Sequence, residues 1–120
     1  MKEDELTYEI NGTVYEVNKV LGPGFLEKVY ENALLHELRN RGFRAENQVP
    51  ITVEYKGAVV GEFFADILVE DKVILEIKAV ERLLKAHEAQ ILNYLKATGK
   101  KVGMLINFTH PRAEIKRFVY

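Results

Sequence analysis

Leu6, Ile10, Val14, Val17 and Leu21 recur at three- and four-residue steps near the start of the chain. That spacing predicts an amphipathic helix. Gly12 within it costs about 1 kcal/mol relative to alanine, and Gly22-Pro23-Gly24 ends it. A second helix is expected from about Phe25 to Arg41, with an apolar stripe of Leu26, Val29, Tyr30, Ala33, Leu34 and Leu38 and a stop at Gly42.

The period then changes to two. Val49, Ile51, Val53 and Tyr55 alternate with polar residues, and Lys56-Gly57 marks a turn. Val59 to Val69 and Val73 to Ile77 read as further strands, separated by Glu70-Asp71-Lys72. A third helix is expected from Leu83 to Thr98, ending at Gly99. Val102 to Phe108 is almost wholly apolar, the mark of a central strand. Ala113 to Tyr120 suits either a short helix or an edge strand. The order α-α-β-β-β-α-β predicts an α/β fold in one domain, residues 1–120: a mixed sheet with helices packed against it.

Two acids stand oddly in this pattern. Asp66 lies inside one apolar strand and Glu76-Ile77-Lys78 closes the next. An unpaired buried charge is very costly. If the two strands form a hairpin with a three-residue loop, Val69 opposes Val73, and counting back places Asp66 opposite Glu76. Their Cβ atoms would then lie about 5 Å apart. Lys78, two residues after Glu76, shares its face. Facing carboxylates repel unless a proton or cation lies between them. Mg²⁺ suits such a pair, since it takes oxygen ligands and keeps several waters. The backbone carbonyl of Ile77 is a further candidate ligand. A metal there polarises a phosphate and acidifies a bound water, while Lys78 orients that water or meets developing negative charge. The competing reading is an ordinary salt bridge from Lys78 to Glu76 or Asp66 at a sheet edge.

Glu27 falls in the first turn of the second helix, where a carboxylate also complements the helix dipole. Tyr30 shares its face at i+3 and by itself reads as a core aromatic. On the third helix His87, Gln90 and Tyr94 form a polar stripe beside Leu84, Ile91 and Leu95. Such a stripe either borders the core or faces a cleft, where Gln and Tyr can bind phosphate oxygens or orient a metal-bound water. His36 and His110 have no metal-ligand spacing with His87, which argues against zinc.

Composition sharpens this picture modestly. There are no cysteines, so disulfides and thiolate metal sites are excluded. No apolar run approaches a membrane span, and the acidic start Met1-Lys2-Glu3-Asp4-Glu5 lacks a signal-peptide core, so no membrane partner and a cytoplasmic location are expected. The formal charge of −1 divides into −7 over residues 1–71 and +6 over residues 72–120. Such a division allows a basic face on a nearly neutral protein, although a solvated surface with a chance imbalance would look the same.

Together these residues resemble the PD-(D/E)XK nuclease superfamily, and more closely the small proteins named for a GxxExxY motif. That motif is matched by Gly24, Glu27 and Tyr30, and the central motif by Asp66 with Glu76-Ile77-Lys78. His87, Ala89, Gln90 and Tyr94 are similar to the Gln-x-x-x-Tyr element of RecB-like nucleases, and Leu105-Ile106-Asn107-Phe108 to the last core strand. Ala65 precedes Asp66 where the name of the superfamily has proline. The resemblance implies a restriction-endonuclease-like core and an Mg²⁺-dependent (or Mn²⁺-dependent) nuclease acting on DNA. It implies Glu27, Asp66, Glu76 and Ile77 around the metal, Lys78 as catalytic lysine, and Gln90 and Tyr94 positioning substrate or water, with Tyr30 and His87 in support. The alternative within the same fold is a nucleic-acid-binding or accessory module with little catalysis; a purely structural or protein-binding domain is a third reading. A homodimer is expected if two sites serve two strands.

Overall fold

A computed structural model describes all 120 residues. The apolar periodicity of the first segment becomes α1 (Glu3–Leu21), which passes unbroken through Gly12. Helix α2 (Glu27–Asn40) follows, and the chain then enters β1 (Ala45–Tyr55), β2 (Ala58–Val69) and β3 (Val73–Lys78). Helix α3 (Lys85–Thr98) crosses to β4 (Val102–Asn107), and β5 (Glu114–Val119) closes the chain. The five strands form one sheet in sequence order. Every neighbouring pair is antiparallel except β3 and β4, which are parallel and joined through α3.

The sheet buries both faces. Leu6, Ile10, Val14, Leu34 and Leu38 of α1 and α2 pack with Ile67, Val73, Leu75, Ile77 and Met104 in the larger core. On α3's side, Tyr94 and Leu95 pack with Ile51, Leu68 and Ile74. The alternation of Ile74 with Val73 and Leu75 shows β3 serving both cores, the behaviour expected of a strand buried on both faces. All six residues of β4 are buried as well, as its apolar run predicts.

Several boundaries differ from the expected ones. Helix α2 starts at Glu27, so Phe25 and Leu26 lie outside it, and Leu26 is 78% exposed rather than part of the stripe. Gly22 and Gly24 have φ of 72° and 98°, and Leu26 is extended, so the connection stays non-helical until Glu27. Strand β1 begins at Ala45, ahead of Val49, because Ala45–Asn47 pair with Ile67–Val69. Helix α3 begins at Lys85, not Leu83. The last segment is a strand, which caps the otherwise open edge of β4.

Helix α3 lies very close to β4 at Gly103. A Cβ built there would meet Ile91 side-chain carbons at 2.9 Å and Leu95 at 3.3 Å. Gly103→Ala should therefore shift α3 or force Ile91 from its rotamer, destabilising the fold by about 1–3 kcal/mol. Thermal unfolding of the variant, compared with a Gly→Ala change at half-exposed Gly12, provides the check.

Candidate active site

The site begins where β2 and β3 part. Their ladder runs through Val69–Val73, Leu68–Ile74 and Ile67–Leu75, the register anticipated from the three-residue loop. It stops at the next position, which Asp66 and Glu76 occupy. Side chains replace backbone carbonyls there. Asp66 Oδ2 accepts the Ile77 N–H at 2.8 Å, and the Asp66 N–H points at Glu76 Oε1 at 3.4 Å. The two acids thus sit in the fork between the strands.

Glu76 is buried at 3% exposure. Its pKa is pushed up to about 9, by burial first, then by the charge of Asp66 and hydrogen bonding to its side chain; the Asp66 N–H and Lys78 pull the other way. A carboxyl with that pKa is protonated at neutral pH unless a cation takes the proton's place. Glu27, at the start of α2, is also raised, by burial, with Lys78 opposing and Asp66 and Glu31 adding to the rise. Asp66 and Lys78 therefore act electrostatically on both Glu27 and Glu76. None of the five ion pairs in the molecule involves Lys78. Lys78 is half-buried beside the acids rather than consumed in an edge salt bridge.

Helix α3 supplies the other wall. The Tyr94 hydroxyl accepts a hydrogen bond from Gln90 Nε2 at 3.0 Å. Burial raises its pKa, and the charges of Glu76 and Asp66 raise it further. Tyr30 and His87 make structural contacts around the site. Tyr30 is 1% exposed; its hydroxyl donates to Gly22 O at 2.6 Å, and its ring stacks on Phe108 at 4.7 Å. It fixes the turn that delivers Glu27, so its role is supporting. His87 Nδ1 accepts the Leu84 N–H at 3.0 Å, capping the start of α3.

Three residues were not anticipated. Glu31, only 2% exposed, accepts Gln48 Nε2 at 2.9 Å and Lys28 Nζ at 3.2 Å. The same Gln48 nitrogen reaches Asp66 Oδ1 at 3.4 Å. Gln48 has φ of 50°, sparsely populated for a residue with a side chain. It lies between the pairs Asn47–Ile67 and Val49–Ala65, hence across from Asp66. Glu31 had a usable signal, one helical turn after Glu27. The third is Asn107, whose fully buried amide makes reciprocal 2.9 Å hydrogen bonds with the backbone of Val80, extending the β3–β4 pairing beyond Lys78.

No three acidic or histidine side chains converge within ligand range of one point. The donors fit a hard cation nonetheless. Two carboxylates with the Ile77 carbonyl match the way Mg²⁺ is usually held, by one or two carboxylates with waters and substrate phosphate rather than a full protein cage. A cation there would offset the repulsion between buried Glu76 and Asp66, whose charge raises the Glu76 pKa after burial itself.

Comparison with known proteins bears on the family and the fold. A family model of the PD-(D/E)XK nuclease superfamily matches residues 4–118. The crystal structure of SSO0001 superposes with a TM-score of 0.63 at 23% identity, covering 78% of this chain and 50% of that one, and the fold is restriction-endonuclease-like. This chain thus spans about half the length of SSO0001. The alkaline exonuclease LHK-Exo from Laribacter hongkongensis matches at a TM-score of 0.41 and 11% identity, covering 88% of this chain and 75% of that one. No curated protein sequence matches.

Two outcomes are expected. The folded-state pKa of Glu76 (about 9) exceeds its usual 4.5, so its stabilising protonation is complete below pH ~4.5 and is lost as pH rises towards ~9. Glu76→Gln mimics the protonated carboxyl. In metal-free buffer, its Tm advantage over wild type should grow from pH 5 to pH 9; an unchanging difference would contradict the assignment. Gln48→Ala leaves the buried Glu31 carboxylate short of a donor and should destabilise the fold by about 1–3 kcal/mol, as read by denaturant unfolding. Gln48→Gly relieves the backbone but loses the same bonds, so it should recover only part of that.

Proposed function

Because the chain belongs to the PD-(D/E)XK nuclease superfamily, we propose that it is an Mg²⁺-dependent nuclease hydrolysing phosphodiester bonds in DNA. The observation that carries this reading is the juxtaposition of Asp66 and Glu76 in the β2–β3 fork, with Lys78 beside them and free of any ion pair. We further place it among the GxxExxY proteins, on Gly24, Glu27 and Tyr30, acting as a single domain over residues 1–120 in the cytoplasm, with a homodimer as the form that would serve two strands. No helix is long and apolar enough to cross a membrane.

In this mechanism Asp66, Glu76 and the Ile77 carbonyl would hold the ion, with Glu27 at the start of α2 in support. When bound, Mg²⁺ supplies charge to polarise the phosphate and acidify a water. Asp66 is oriented before binding, since the Ile77 N–H fixes Oδ2 and leaves Oδ1 with only the long contact to Gln48. With such an ion bound, Glu76 would be held as the carboxylate, its proton released to solvent. Lys78 holds the attacking water and offsets negative charge on the phosphate as it develops. Tyr94 and Gln90, already bonded to each other, donate to a phosphate oxygen or orient the water from the α3 side.

One observation favours a second reading, a module that binds nucleic acid without cutting it: no third acidic ligand completes the site. Cleavage assays separate the two. With Mg²⁺ or Mn²⁺, wild type should cut DNA, and Lys78→Ala should be slower by about 10²–10³-fold with unchanged thermal unfolding. Calorimetric Mn²⁺ titration should show a site that Asp66→Asn abolishes. Salt-sensitive binding with no cleavage in either metal would establish the binding module instead.

A further inference from the structure

Beside the acidic fork runs a groove of about 850 Å³. One wall is the β1–β2 ribbon, with Thr52, Val53 and Phe63; the other is the α3 face bearing Gln90, Asn93 and Tyr94. It exists because α3 presents alanines there, Ala86, Ala89 and Ala97, whose small side chains leave the helix short of the ribbon. Gln90 and Tyr94 belong to both the groove and the candidate active site, so the two are continuous.

Phe63 is 46% exposed, with its ring tilted 42° to that of Tyr94 at 5.7 Å. Its free surface is a stacking platform at the mouth of the site. Asn93 on α3 supplies an amide, a donor and acceptor suited to the edge of a heterocycle. The charged lining is Glu54 and Lys96, one of each sign, so the groove is no track for phosphates. A flat, polar-edged aromatic ring fits; a phosphodiester backbone does not.

We propose that this groove holds an unpaired nucleobase of the strand whose phosphate lies at Asp66 and Glu76, so that the substrate is single-stranded or frayed DNA. A base inside a duplex is already stacked and paired and cannot enter without being extruded. Base–aromatic stacking contributes about 1–3 kcal/mol per base and tolerates any sequence. The assignment rests on the nuclease reading for the position of the phosphate, but the groove can be tested without cleavage.

The test is a short oligothymidylate carrying one 2-aminopurine, titrated with the full chain in EDTA. Stacking on Phe63 should quench the probe, and the same base paired in a duplex should not be quenched. Phe63→Ala should weaken binding about tenfold and relieve the quenching, and Phe63→Trp should restore both. Ala89→Trp fills the groove from the other wall and should abolish quenching without removing Phe63. Quenching that survives Phe63→Ala and Ala89→Trp, or that is equal for the paired base, would overturn the proposal, as would a groove that takes up a protein segment while the oligonucleotide fails to bind. Lys78→Ala should leave quenching intact, so failed cleavage with Phe63-dependent quenching would overturn the nuclease reading alone. Cleavage indifferent to Phe63 and Ala89, without quenching, would overturn the base subsite alone.

Discussion

One hydrogen bond organises the site: Ile77 N–H to Asp66 Oδ2. An antiparallel ladder would continue with a backbone carbonyl at this point. Substituting a carboxylate keeps β3's amide satisfied while letting β2 turn away. Without that substitution, strand separation would leave a buried N–H unpaired, at a cost of about 1–3 kcal/mol. With it, the fork opens at little cost and holds an acid at its vertex. The other parts are arranged around this vertex. Glu76 sits on the facing strand, Lys78 follows where β3 ends, α2 brings Glu27 and Glu31, and α3 brings Tyr94.

The hairpin that makes the fork was legible in the chain. Val69, the three turn residues and Val73 set a register that carries Asp66 to Glu76, and the structure keeps it. The helices and the buried β4 were legible for the same reason: long apolar periodicities leave few alternatives. The start of α2 was not. Leu26 fits the helical stripe by spacing, but Gly22, Gly24 and the Tyr30 hydroxyl impose a non-helical connection that periodicity does not register.

Gln48 was hidden more deeply. The tight Lys56-Gly57 turn pairs Tyr55 with Ala58, and extending that register would place Gln48 opposite Ala65. A bulge at Val53/Glu54 shifts the pairing by one residue, so that Gln48 faces Asp66 instead. One extra residue in a strand changes what every later residue opposes. No composition or spacing signal in the segment announces it. Asn107 was hidden differently, since its partner is the backbone of Val80 in a segment without regular structure.

The ribbon that carries the bulge has a mechanical consequence of its own. Beyond Ala65 the β1–β2 ribbon is mostly exposed, with no helix covering Tyr55, Val59, Val60 or Phe64. A two-stranded ribbon without a covering layer has little stability of its own. The chain therefore builds one side of its cleft as a cantilever, rooted near Gln48 and free at Lys56-Gly57, against a helix seated firmly on β4 through Gly103. Cleft width is thus governed by the bending of a single ribbon, and the rigid core carrying Glu76 and Lys78 need not move when the opening changes.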